Sequence, residues 1–266
     1  MNGELVIKIL VTKKYEETAG VFDKLSAQGL NVVYFPTIKI TPTVVEAASL
    51  SQSVLEADYI IFTSGNAVKF FMEEVRKFAS EEYLQDKIIC AVGKKTAEVC
   101  RQYSLNVYLT PVYQSAAGLF DELKDQNIAS KKFLIPTSRI AGDELKLLLE
   151  NVGAQVNQIT VYDNVLPNQD DVQEFANGIS SEKPDMFVFT SPSSYNNFNV
   201  LMKIENIQSY FENAEVIPIG GTTASAIESD NVKVALIPEE FSLDGIANEI
   251  EKMINNKKKD YTEDIN

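Results

Sequence analysis

Residues 58–71 read DYIIFTSGNAVKFF, and residues 185–198 read DMFVFTSPSSYNNF. Each opens on a short, continuously apolar run, turns through Thr-Ser, and goes on with apolar residues at helical spacing. A run that is apolar on both faces is a strand buried on both faces, as in a parallel sheet covered by helices. The two stretches are offset by 127 residues. The same offset relates AVGKKTA (91–97) to PIGGTTA (218–224), and LTPVYQSAAGLFDEL (109–123) to LIPEEFSLDGIANEI (236–250). Upstream the offset is 124, relating KILVT (8–12) to KFLIP (132–136) and Gly29 to Gly153. The chain therefore reads as two copies of one unit, 8–123 and 132–250.

Outward from these stretches the pattern repeats. Runs at 7–12, 31–35, 88–92, 133–136, 216–219 and 234–237 are strands, and a helix is expected over 17–28. Ala116, Leu119, Phe120 and Leu123 fall at i, i+3, i+4, i+7, as do Leu145, Leu148, Leu149 and Val152. Strands alternating with helices make an α/β protein of βαβ units with right-handed crossovers. Two segments, 31–43 and 155–167, start as strands and run past ordinary strand length. Both lie where the repeat offset changes. If they cross as a paired ribbon, the copies exchange parts. One domain then holds 1–36 plus 164–254 and the other 37–163. The polar, aperiodic tail over 255–266 reads as disordered.

The chain has 266 residues, 24 Lys+Arg against 38 Asp+Glu, and a net charge of −14. That balance argues against nucleic-acid binding, which needs clustered cations. Histidine is absent, which removes Ser-His-Asp and Cys-His nucleophiles and imidazole metal sites. Cys90 and Cys100 are the only cysteines, so no disulfide framework or thiolate zinc site is supported, and reduced thiols are expected. The first residues lack a basic region followed by a long apolar run, and no stretch approaches 18 apolar residues. A cytoplasmic protein with no membrane partner is expected.

Ligands of open α/β sheets bind beyond the carboxyl ends of the strands. Small polar residues stand at those turns: Ser64 and Asn66, Thr96, Ser191 and Ser193, Thr222 and Thr223. Each alone is an ordinary N-cap; together they make several helix N-termini that favour anions. Lys13, Lys94 and Arg139 fall at the same edge. No G-x-G-x-x-G or P-loop pattern is present, which speaks against a dehydrogenase or an ATPase. All three arginines fall within 37–163, which carries 13 basic and 16 acidic residues against 11 and 22 elsewhere.

In order along the chain stand a strand ending Val-Thr-Lys, a Phe-Thr-Ser-x-Asn-Ala-Val turn, an Ala-Val-Gly-x-x-Thr-Ala turn and a Val-Tyr-Asp connector. Phe-Thr-Ser-Pro-Ser and Ile-Gly-x-Thr-Thr-Ala turns follow. No single motif is specific, but the ordered set resembles the uroporphyrinogen-III synthase family over about residues 7–254. The resemblance implies two doubly wound, flavodoxin-like α/β domains, the first discontinuous, joined by a two-stranded connector with the substrate in the cleft between them. It implies a cofactor-independent, cyclising lyase without a metal. Hydroxymethylbilane would lose water, invert its terminal ring and close to uroporphyrinogen III. Carried over, Tyr162 matches the family tyrosine and would donate a hydrogen bond to the departing hydroxyl; a packing role in the hinge is its competing assignment. Lys13, Ser64, Asn66, Lys94, Thr96, Ser138, Arg139, Ser191, Ser193, Thr222 and Thr223 would bind the substrate's eight carboxylates. Lys13 stands where many members have Arg, Arg139 is displaced by about one position, and Gly221 replaces a common proline. A self-contained cleft needs no partner chain, so a monomer is expected. The alternative is a hinged two-lobe binding protein without catalysis.

Overall fold

The computed structural model describes residues 6–18, 20–78 and 81–263. Ten strands form: β1 Lys8–Val11, β2 Asn31–Tyr34, β3 Lys39–Pro42, β4 Tyr59–Phe62, β5 Ile88–Ala91, β6 Val107–Leu109, β7 Lys132–Ser138, β8 Gln155–Val165, β9 Met186–Phe189 and β10 Glu215–Pro218. The helices between and after them are α1 Asp23–Ala27, α2 Ala47–Glu56, α3 Gly65–Phe78, α4 Lys94–Gln102, α5 Ala116–Leu123 and α6 Glu144–Asn151. They continue with α7 Gln169–Ser181, α8 Pro192–Leu201, α9 Ile207–Phe211, α10 Gly221–Glu228 and α11 Leu243–Glu263. The chain divides into two compact units, Met1–Lys39 with Leu166–Asn266, and Ile40–Val165.

The first unit holds a four-stranded parallel sheet in the order β10-β9-β1-β2. Side chains alternate across it. Phe187 and Phe189 of β9 join Tyr195, Phe198 and Phe211 on one face. Met186 and Val188 join Ile246, Ala247 and Ile250 of α11 on the other. The second unit holds six strands in the order β3-β8-β7-β4-β5-β6, parallel from β8 to β6. Ile60 and Phe62 of β4 face α3, and Tyr59 and Ile61 face the layer containing Leu119 and Leu149. Both sheets are therefore covered on both sides, which is why their strands carry no polar alternation.

The repeat reappears in detail. Lys8 N–H donates to Asp185 Oδ2 at 2.8 Å in one unit, and Lys132 N–H to Asp58 Oδ2 at 2.8 Å in the other. Ser115 Oγ accepts from Gly118 N at 3.0 Å, and Ser242 Oγ from Gly245 N at 3.0 Å. A Cβ on Gly118 would lie 2.0 Å from Tyr113 O, and one on Gly245 2.1 Å from Glu240 O. Only glycine lets those loops close onto their helices. In each unit the first strand comes from one copy and the strand beside it from the other: β1 pairs β9, and β7 pairs β4.

Four local expectations are corrected. The helix expected over 17–28 is split into a 3₁₀ turn at Tyr15–Thr18 and the short α1, because Gly20 adopts φ +72 between them. The run 234–237 makes only one parallel bridge, Val216↔Val234; it is a half-buried edge segment halted by Pro238. The segment 31–43 is not one long strand but two, β2 and β3; the expected pairing of the two connectors is present, since β3 lies beside β8 and Thr43 N–H donates to Val161 O at 3.1 Å. The tail expected to be disordered continues α11 to Glu263. An amphipathic helix anchored by Ile246, Ile250 and Ile254 is already nucleated, and extending it through straight-chain lysines costs little. Residues 1–5 and 264–266 lie outside the described residues, as do Ala19, Ala79 and Ser80.

Candidate functional site

At the carboxyl edge of the second sheet, β4, β7 and β8 lie side by side and deliver Ser64, Ser138 with Arg139, and Tyr162 to one place. Ser64 begins α3. Its Oγ accepts from Ala67 N at 3.1 Å, an N-cap contact, and lies 3.1 Å from the Tyr162 hydroxyl. β7 and β8 pair residue for residue up to Thr137↔Thr160; the register then shifts so that Ser138 faces Tyr162. Such an irregularity re-aims a side chain. Here it turns Tyr162 onto α3, where its ring stacks on Phe70 at 5.6 Å and 23°. Tyr162 is 7% exposed, so only an edge of it reaches the surface.

Arg139 caps the same corner. Its backbone N–H donates to Tyr162 O at 3.1 Å, and its Nε to Asp163 Oδ2 at 2.6 Å. Arg139 is largely exposed, with its side chain at 61%, whereas Asp163 is half-buried. Ser138 is buried.

The other candidates lie at helix starts. Asn66 is half-buried in the first turn of α3. Lys94 is the exposed first residue of α4, and its backbone N–H donates to Gln114 Oε1 at 2.9 Å. Gly93 is the N-cap of α4 and Gly220 that of α10. Thr96 and Thr223 are therefore the third residues of their helices, not caps, and both are buried. Thr222 is exposed beside Thr223. Ser191 caps α8, accepting from Ser194 N at 3.0 Å, with Ser193 Oγ 3.0 Å away. Ser194 Oγ returns the contact to Ser191 N at 3.0 Å, closing a capping box with Ser in place of Glu. Lys13 Nζ pairs with Glu17 at 3.5 Å.

Of the sequence candidates, Ser64, Ser138, Arg139 and Tyr162 are brought together, and Ser191 with Ser193. Among the described residues, no hydrogen bond or ion pair links Lys94 or Thr96 to Tyr162. Sequence reasoning missed two members of the cluster. Asp163 follows Tyr162 directly, and its signal was a carboxylate next to a candidate donor. Phe70 occupies an ordinary apolar helix position and gives no signal until β8 is laid against α3.

What the cluster offers is one phenol at the rim of a core, a hydroxyl beside it, and a guanidinium at the edge. The cysteines offer nothing comparable, since burial pushes both thiols up to about 12 and leaves them protonated near neutrality. Among the described residues, no group of three or more His, Cys, Asp or Glu could hold a metal ion, and no helix is long and apolar enough to cross a membrane.

Comparison with known proteins gives one consistent result. A family model described as "Uroporphyrinogen-III synthase HemD" matches residues 21–248. The chain is 29% identical to uroporphyrinogen-III synthase of Chlorobaculum parvum, over 88% of this chain and 93% of that protein. Its fold is similar to that of the Helicobacter pylori uroporphyrinogen-III synthetase, with a TM-score of 0.64 at 18% identity over 94% of this chain and 100% of the other. A mutant uroporphyrinogen III synthase from Thermus thermophilus gives a TM-score of 0.58 at 14% identity over 95% and 100%.

Proposed function

The chain belongs to the uroporphyrinogen-III synthase family, and from that premise we propose that it is a cytoplasmic, monomeric, cofactor-independent lyase. It cyclises hydroxymethylbilane to uroporphyrinogen III. The C–O bond of the terminal hydroxymethyl group breaks, and the oxygen leaves as water after receiving the Tyr162 proton. The electron-rich pyrroles carry the resulting cation. The substituted carbon of the last ring bonds to it, giving a spiro-linked ring. The bond from that carbon to its original methylene bridge then breaks, and the freed methylene cation bonds to the unsubstituted α-carbon of the same ring, which is thereby inverted. The proton lost there as the ring regains aromaticity restores the phenol.

The observation that carries this reading is the meeting of Ser64, Tyr162 and Arg139 at the ends of three adjacent strands. A phenol at the rim of an apolar core is a positioned donor in a poorly solvated place, where a hydrogen bond to a leaving oxygen is worth most. Arg139, whose backbone N–H donates to Tyr162 O, would hold a substrate carboxylate with its guanidinium. In the first unit, the N-termini of α8 and α10 with Ser191, Ser193 and Thr222 form a second anion-favouring rim. Lys13, Asn66, Lys94, Ser138, Thr96 and Thr223 complete the proposed substrate-binding set. The two buried threonines act by setting the first turns of their helices.

The test is incubation with hydroxymethylbilane and separation of the uroporphyrinogen isomers. Isomer III is expected above a blank that yields isomer I. Isomer I alone refutes the reading.

A further inference from the structure

We propose that Ser64 and Phe70 are positioning residues that hold the Tyr162 phenol with its proton directed away from the protein, toward the leaving oxygen. The inference rests on the reading of Tyr162 as the donor. Ser64 Oγ has one proton and two lone pairs. Ala67 N–H occupies one lone pair at 3.1 Å. The 3.1 Å contact with the Tyr162 hydroxyl then has two forms. Either the phenol donates to the second lone pair and its proton is consumed, or the serine proton goes to the phenol oxygen and the phenol proton stays free.

The N-cap contact selects the second form. An N–H donating to Oγ draws electron density from it and makes its own O–H the better donor, the cooperative effect of a hydrogen-bond chain. Behind Ala67 stands the N-terminus of α3, whose partial positive charge favours negative charge at this end. As the phenol proton leaves, charge gathers on the phenol oxygen, where the Ser64 O–H already points. A donor fixed before the charge appears costs no reorganisation when it does.

Phe70 supplies the other restraint. Its ring lies 5.6 Å from that of Tyr162 at 23°, so the phenol cannot swing about its ring plane without losing the stack. Phe70 is itself buried in the cluster holding Ile60, Phe62 and Phe71. Both restraints come from α3. One helix thus fixes the ring and its oxygen.

The experiment compares wild type with Tyr162→Phe, Ser64→Ala, Ser64→Gly, Ser64→Thr and Phe70→Leu, and with Ser64→Gly and Phe70→Leu built into Tyr162→Phe. Steady-state kinetics on hydroxymethylbilane and thermal melting are read for each. Glycine is nearly as good an N-cap as serine, so Ser64→Gly removes the hydroxyl while sparing the helix. Ser64→Ala and Ser64→Gly are expected to lower kcat by about tenfold or more, with KM within about twofold. Ser64→Thr, which restores the hydroxyl, is expected within about threefold of wild type on the same scale. Neither Ser64→Gly nor Phe70→Leu should lower kcat further once the phenol is gone, because neither has a phenol left to position. An equal loss from Ser64→Gly with and without the phenol overturns the proposal, as does no loss in the wild-type background. An unchanged rate in Tyr162→Phe overturns the donor reading and this proposal together. A lost Tyr162→Phe rate with additive partners overturns this proposal alone.

Discussion

Arg139 Nε lies 2.6 Å from Asp163 Oδ2, across the neighbouring strands β7 and β8 and one residue beyond Tyr162. The pair spans the end of the strand junction that carries the phenol. Because the guanidinium is mostly exposed, its ion pair adds little to stability. Its free donors are available to a planar anion. Arg139→Ala is therefore expected to raise KM about tenfold, as for losing one charge-assisted contact, while the melting temperature stays within about 2 °C. Initial rates and a thermal melt check both halves. A large fall in melting temperature with KM unchanged assigns Arg139 to structure.

The glycine pair offers a stability test that does not involve the site. Gly118 and Gly245 each bring a helix start against a carbonyl that a Cβ would meet at 2.0 and 2.1 Å. The backbone must move to admit alanine, because the obstructing atom is itself backbone. Gly118→Ala and Gly245→Ala are each expected to cost about 1–3 kcal/mol, the usual range for forced overpacking. Chemical denaturation measures it. Equal stability to wild type would mean that the loops yield freely.

Much of the architecture is legible because it is local. Ser64 and Ser191, each after four apolar residues and a threonine, are N-caps in sequence and N-caps in space. The 127-residue offset survives as matched hydrogen bonds at Ser115 and Ser242. Where the reading failed, a tertiary or conformational term prevailed. Gly20 broke a well-patterned helix, Val234 lay at an edge with too few partners, and the tail borrowed its order from the helix before it. At the site, Ser64 and Tyr162 are 98 residues apart. Their meeting depends on the order β8-β7-β4 and on a register shift at Ser138, neither of which leaves a local mark. Phe70 was hidden for the same reason.

The cysteines make a prediction about pH. Burial raises both thiols from 9.0 to about 12. In the unfolded chain they ionise near the ordinary value, so the unfolded state releases protons first as pH rises. The stability tied to keeping them neutral is fully present below about pH 9 and is lost progressively as pH rises toward about 12. At pH 8 a thiol-reactive disulfide reagent is expected to label neither Cys90 nor Cys100 in the folded protein and both in denaturant. Rapid labelling of the native protein would contradict their burial.

Charge raises the last question, because a chain of net charge −14 is proposed to take an octacarboxylate. A long-range field of that sign would slow encounter, so the carboxylates must be held by contacts that act only at short range. Backbone N–H groups at helix starts do so, since the helix-terminal charge fades within a turn. Exposed lysines and Arg139 add contacts within hydrogen-bond reach. Salt screens the distant repulsion and the near attraction in opposite senses. Raising sodium chloride from about 50 to 500 mM is therefore expected to change kcat/KM by less than about threefold, where a steered encounter falls steeply over the same range. A fall of tenfold or more would show that a positive field guides the substrate in, and would move the binding role from helix N-termini to clustered side-chain cations.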